Sequence, residues 1–360
     1  MFTLTPPDEI IAKLREDYYK LTGKWVNPSD VESFLIDLIA YNQTQLEGKI
    51  NYYRKQNFLR YASGEALDLL GEWLGVIRLP PQPAKTTIRF TFEMPHPQII
   101  IDENVKLIAK DNKTIFKPSE TVIVPADVQT FDVVYECETA GIVGNGFIAG
   151  EINQLLSPVS YVLKAENITV STGGTEEEDD EHLRERIRLA PWRFNTAGSR
   201  KGYIYWALTA DPTIIDVNAY SDSTKPGEVF VVVLTKDLPV PQAVLDKVSQ
   251  ILSAEDVRPL TDLVHVNAVK EVPYNVEVEI TLLPDYVPMS GRILEEANIK
   301  VEEFILEIKS KIGRAINPDV LVYKLMDIKG VFKVNVISPA YTEIKKDEVG
   351  VGSVVGVRVV

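Results

Sequence analysis

The spacing of apolar positions changes twice along the chain, and each change predicts a different kind of element. Over residues 1–80 apolar side chains recur at helical spacing. Thr5-Pro6-Pro7-Asp8 and Asn27-Pro28-Ser29-Asp30 each combine a capping residue, an early proline and an acid, which predicts two helix starts. The second helix places Val31, Phe34, Leu35, Leu38, Tyr41, Leu46, Ile50 and Tyr53 on one broad stripe. A third helix is predicted from Ser63 to Leu74, closed by Gly75. Helices this apolar need a partner. That partner is either the rest of the chain or helices of other chains in a shared bundle.

Pro80, Pro81 and Pro83 mark a linker, after which the period becomes two. Ile88, Phe90 and Phe92 alternate with polar residues, as do Val105, Leu107 and Ala109. Asp111-Asn112 predicts a turn, and Thr121–Val124 and Phe131–Cys137 predict further strands. The result is a mostly-β domain over 81–172. Residues 173–285 predict a helical segment and a first small α+β domain. Residues 286–360 predict a second one, with a long helix near Arg292–Ala315 and a short one after Asn317-Pro318. Thr213–Ser221 can be laid over Gly330–Ser338, with following strands at Gly227-Glu228-Val229 and Gly352-Ser353-Val354, so the two units are expected to be repeats. The fold class is therefore α+β and multidomain.

Composition narrows the function classes. Apolar residues make up 45% and charged residues 25%, and the net charge is −14. A chain this acidic repels nucleic-acid phosphates and anionic membrane surfaces, so neither nucleic acid nor membrane insertion is expected. The longest apolar runs, such as Val229–Leu234, are too short to span a bilayer. No secretory signal is visible in MFTLTPPDEI, and Cys137 is the one cysteine, so synthesis and folding in the cytosol are expected.

Candidate chemistry is sparse. His96, His182 and His265 lie in three separate regions, and no metalloprotease, phosphate-loop or nucleophile-elbow pattern occurs. His182 is expected to be solvated. Gly144-Asn145-Gly146-Phe147-Ile148-Ala149 satisfies a dinucleotide-binding pattern, but no helix or parallel βαβ unit follows, so a plain β-turn is expected. The acidic run Glu176–Glu181 is expected to be the solvated start of a helix, with Thr175 and Glu178 at capping-box spacing. Tyr203, Trp206, Ala207 and Ala210 fall on one helical stripe. Trp192 and Phe194 beside Pro191 fit no stripe and are candidates for contact with another subunit. No catalytic residue, cofactor or metal ligand is assigned.

One ordered set of motifs is more specific. It runs Gly173-Gly174, an acidic stretch, Leu183-Arg184-Glu185-Arg186, Thr196-Ala197-Gly198, then Tyr203 and Trp206 to Asp211-Pro212. This order resembles the baseplate J-like family of contractile phage tails and contractile injection systems. Ser63–Arg78 and the glycine-rich stretch Gly141–Gly150 share the likeness. One departure is Ala165–Ile168, where relatives often carry Asn-Pro. The resemblance implies a structural wedge protein rather than an enzyme. It implies that two copies join a companion tail protein through a mixed N-terminal helix bundle. It also implies that the wedges form a ring around the central hub and spike, next to the sheath, and that the ring rearranges on contraction. The expected location is the virion or tail-particle baseplate, assembled in the bacterial cytoplasm. A tail-associated glycan-degrading enzyme and a receptor-binding adhesin are the alternatives.

Overall fold

The fold is α+β. The computed structural model describes residues 4–194, 198–254, 257–259 and 261–360. They divide into two compact units, the residues up to Arg78 with Leu183–Arg188, and Leu79–His182 with Leu189–Val360. Among the described residues no helix is long and apolar enough to cross a membrane.

The first unit holds α1 (Pro7–Thr22), α2 (Val31–Gln56), α3 (Glu65–Glu72) and the middle of α4 (Asp180–Leu189). The expected side-chain caps do not form on α1 or α2. Instead the Thr5 N–H donates to Glu47 Oε2 at 3.1 Å, and Asp30 Oδ2 accepts the Asn27 N–H at 2.8 Å. Gly23 ends α1 in the left-handed region, its N–H returning to the Tyr19 carbonyl. α1 and α2 bury Ile10 on one side and Ser33, Ile36 and Ala40 on the other. These four residues are small or medium-sized, so the helices come close while covering little of α2.

In the second unit, β1 (Lys85–Phe92), β3 (Leu107–Ala109), β4 (Ile115–Pro118), β6 (Thr130–Cys137), β7 (Ile152–Leu155) and β8 (Val162–Asn167) form one antiparallel sheet, with β2 (Ile99–Ile101) and β5 (Val122–Val124) as a separate pair. The order is β7-β3-β4-β6-β1-β8. Alternation along β1 sends Ile88, Phe90 and Phe92 into a core with Phe116, Val133 and Tyr135. The sheet curls into a near-barrel, and its two edges meet at a buried side chain. Asn167 on β8 accepts the Ile152 N–H from β7 at 2.8 Å and donates to the Ile148 and Thr169 carbonyls. The Ile168 N–H donates to the Thr87 carbonyl at 2.9 Å, a bond proline cannot make.

His96 packs against Phe92 with both ring nitrogens facing carbonyl oxygens, Nε2 2.8 Å from Val128 and Nδ1 2.7 Å from Pro97. Carbonyls only accept, so the imidazolium alone satisfies both. The bonds to Val128 and Pro97 raise its pKa above the ordinary 6.5. A raised pKa contributes stability that is complete below the unfolded value and lost as pH rises through the folded one. Thermal unfolding of the barrel should therefore occur at lower temperature above the folded pKa than below 6.5, and His96→Gln should flatten that difference.

Two further three-stranded sheets follow. The first has the order β11-β10-β9, from β9 (Ile214–Ser221), β10 (Glu228–Thr235) and β11 (Leu263–Ala268), backed by α5 (Arg200–Leu208) and α6 (Gln242–Leu252). The second has the order β13-β12-β14, from β12 (Lys270–Leu282), β13 (Val331–Ser338) and β14 (Glu348–Val359), with α7 (Ser290–Lys309) and α8 (Pro318–Met326). In each sheet the central strand has one antiparallel and one parallel neighbour. Three expectations need correcting. The break between the α+β units lies at Val269, not at 285/286, because β12 pairs with β13 and β14. β9 and β13 are each an edge strand antiparallel to the central one, but β10 is central whereas β14 is an edge, so the second strands of the expected repeat do not correspond. α7 stops at Lys309 rather than Ala315, as the chain turns through Gly313 at φ 74°.

Candidate functional site

The acidic run is only partly a solvated helix start: Glu176, Glu177, Asp179 and Glu181 are exposed, but Glu178 is buried and lies ahead of the helix. Residues 79–85 and 172–178 continue out of the barrel as an antiparallel ribbon, with reciprocal backbone bonds between Gln82 and Thr175. This holds Thr175 and Glu178 extended, so the capping box cannot form, and α4 begins only at Asp180. The cap is Asp179, whose Oδ1 accepts the His182 N–H at 2.9 Å. Glu178 is 2% exposed and His182 9%. The Glu178 carboxylate binds His182 Nδ1 and accepts the Leu79 N–H at 2.8 Å. His182 is thus buried and paired, contrary to expectation. His265 lies across from Phe230 and stacks on its ring at 5.1 Å, with Nε2 3.1 Å from Glu228 Oε2. Among the described residues no group of three or more His, Cys, Asp or Glu side chains is placed to hold a metal ion.

The motif residues act instead as joints between distant backbone segments. Gly173 has φ 86°. A Cβ on Gly174 would lie 2.3 Å from the Gly141 carbonyl oxygen. Asn145 clasps Gly174, accepting its N–H at 2.9 Å and donating to its carbonyl at 2.8 Å. The dinucleotide-like stretch therefore cradles the double glycine. Gly174→Ala should cost about 3 kcal/mol, the upper end for overpacking, because backbone cannot yield. Thermal unfolding checks this, with Gly291→Ala, facing open space at an ordinary φ, as the milder comparison.

Leu183 is fully buried. The buried Arg184 guanidinium donates to the Leu59 and Ala62 carbonyls at 2.9 and 2.6 Å, and Arg186 donates to the Ile77 carbonyl at 3.2 Å. Thr196 and Ala197 lie outside the described residues. Gly198, at φ 74°, sits where a Cβ would come 2.7 Å from Asp262 Oδ2. The Tyr203 hydroxyl donates to the same oxygen at 2.6 Å, and burial followed by this bond pushes its pKa up. Trp206 packs edge-on against Tyr205 at 5.2 Å. Asp211, just before Pro212, accepts the Thr213 N–H and hydroxyl and pairs with Lys247 at 2.7 Å. The partners Asn145, Asp262 and Lys247 were not anticipated, since nothing local in the sequence marks them.

The stripe on α2 lies bare. Val31, Phe34, Leu35, Leu38, Tyr41, Leu46, Ile50 and Tyr53 are 46–70% exposed, and Ile39 and Tyr52 join them. At 100° per residue the buried positions 33, 36 and 40 span about 60°, while the exposed apolar ones span about 180°. A helix facing one core shows a stripe of roughly 100°. The arc is therefore wider than a single neighbouring surface covers. Trp192 is 40% and Phe194 72% exposed. The Lys201 ammonium lies 4.7 Å from the Trp192 ring, and Arg193 lies 4.7 Å from that of Phe194.

Comparison with known proteins agrees with the motif order. Residues 87–174 match the baseplate J-like protein barrel domain, and residues 195–268 match the baseplate J-like central domain. The second match ends where β11 ends. Baseplate protein J of Escherichia phage P2 is 29% identical over 180 residues, covering 49% of this chain and 58% of that protein. Uncharacterized protein YqbT of Bacillus subtilis (strain 168) is 26% identical over 185 residues, covering 51% of this chain and 53% of that one. The matched stretch thus spans a little over half the length of these curated relatives. A chain in the cryo-EM structure of the anti-feeding prophage (AFP) baseplate aligns over 96% of this chain and 90% of its own, at 13% identity and a TM-score of 0.45. The double glycine closes the first matched stretch and the aromatic helix lies in the second, so residues 87–174 and 195–268 are the barrel and central domains of the baseplate J-like family.

Proposed function

We propose that the protein is a structural wedge component of the baseplate of a contractile tail or related injection machine. The observation that carries this reading is the bare apolar arc of α2. Exposed apolar surface of that width is costly in water and is covered when other helices pack on it. An arc of about 180° accommodates two further helices rather than one. A second copy of this chain and a companion tail protein would supply them. In this reading residues 1–80 enter the shared bundle and 81–172 form the connecting barrel. The α+β modules link neighbouring wedges into the ring around the hub and spike, beneath the sheath. Trp192 and Phe194 are secondary contact points. Assembly takes place in the bacterial cytoplasm before the particle is complete.

Native mass spectrometry of the chain, alone and co-expressed with its neighbouring tail genes, tests this. A complex of two copies with one companion is the expected result. A monomer that ignores every neighbouring tail protein would overturn it.

A further inference from the structure

Residues 270–360 are joined to the first α+β module at one covalent passage among the described residues. β11 ends at Ala268 and β12 begins at Lys270, leaving Val269 alone between the sheets. The Val269 N–H donates to Val233 of the first module at 3.0 Å. The Lys270 N–H donates to Asp347 of the second at 2.9 Å. Backbone committed to one module thus passes to backbone committed to the other between two adjacent residues. Hinges are a few residues of this kind, at the ends of elements.

A second set of contacts holds the modules together elsewhere. Val217 and Ala219 on β9 point into the first module's core, so Asp216, Asn218 and Tyr220 point the other way. Each takes a partner from the second module. Asp216 Oδ2 accepts the Ile312 N–H at 2.8 Å. Asn218 Nδ2 donates to the Lys346 carbonyl at 2.7 Å. The Lys346 ammonium lies 3.8 Å from the Tyr220 ring centroid. All three contacts are polar or cation–π. The second module's apolar core draws its members from residues 272–359 only.

The space between hinge and contacts is not filled. A cavity of about 360 Å³ lies there, lined by Tyr220, Phe230 and Val232 of the first module, Ala268 beside the hinge, and Lys270 and Asp347 of the second. The cavity is partly open to solvent, whereas a fused core would close such a cleft at crystal-like packing density. Polar, loosely packed joints between modules are the ones that move.

We infer that residues 270–360 form a swinging module, hinged at Val269 and held closed by a latch of Asp216, Asn218 and Tyr220 against Ile312 and Lys346. The inference does not depend on the wedge reading. The latch closes through three small contacts, so a competing partner for β9 or for Lys346 would release the module without unfolding either half.

The test uses the full chain with spin labels at Gln250→Cys on α6 and Glu302→Cys on α7, the native Cys137 being buried. Pulsed electron spin resonance should give one narrow distance distribution. Asp216→Ala with Asn218→Ala should add a longer-distance population while both modules keep their thermal transitions. A distribution that stays single and narrow overturns the latch. Should the double variant fail to fold, Lys346→Met removes the cation–π contact while keeping the carbonyl that Asn218 bonds, and should still add the longer population, with an unchanged distribution again overturning the idea. A disulfide between Asn218→Cys and Lys346→Cys should restore the narrow distribution on oxidation.

Discussion

Leu38→Asp combined with Leu46→Asp is expected to abolish assembly with the companion chain while the rest of the molecule keeps its thermal transition. Both side chains are more than half exposed in the single chain, so their replacement removes little from its own core. In a bundle they would be buried. Burial of a leucine contributes about 1.5–3 kcal/mol, and a carboxylate there adds an unpaired charge. Two sites therefore amount to a loss of at least about 4 kcal/mol, or roughly three orders of magnitude in affinity. Co-purification with the companion, beside calorimetry of the isolated variant, measures both halves of the expectation. Contraction-competent particles built from the double variant would rule out the shared bundle.

Arg184→Ala should selectively loosen the first unit. Its guanidinium satisfies the Leu59 and Ala62 carbonyls just beyond α2, and hydrogen bonds from a charged donor are worth about 1.5–3 kcal/mol each. The substitution should cost about 3 kcal/mol or more, and Arg184→Lys should recover little of it, because an ammonium cannot reproduce the planar fork. Hydrogen exchange should report faster exchange across α2 and α3 with barrel amides unchanged. Equal loss of protection in both units would mean that Arg184 supports the whole chain rather than the helical part.

What could be read from the residues alone depended on how far apart the interacting groups lie. The α2 stripe was legible because helical periodicity is local: positions three and four apart share a face whatever surrounds them. The strands of the barrel were legible for the same reason at period two. The burial of Glu178 was not, because its partner amide at Leu79 lies 99 residues away. Local propensity favoured a helix cap, and the long-range ribbon overrode it. The boundary placed at 285 failed in the same way. β12 belongs with β13 and β14 only through pairings across 49 residues or more, and no periodicity carries that information. The motif itself was recognisable as a pattern. The jobs of its arginines were not, since Arg184 reaches back 125 residues to Leu59.

The helical unit is discontinuous, and this orders events during synthesis. Its last segment, Leu183–Arg188, follows its first by about a hundred residues. At roughly 5–20 residues per second, α1, α2 and α3 leave the ribosome many seconds before Arg184 can reach the carbonyls beyond α2. During that interval the apolar arc of α2 is carried on an incomplete scaffold. Completion of the unit waits until the barrel has been made, so a truncated product ending before α4 would present the exposed apolar arc without its support. The chain thus delays a complete helical unit until its first 188 residues have been translated.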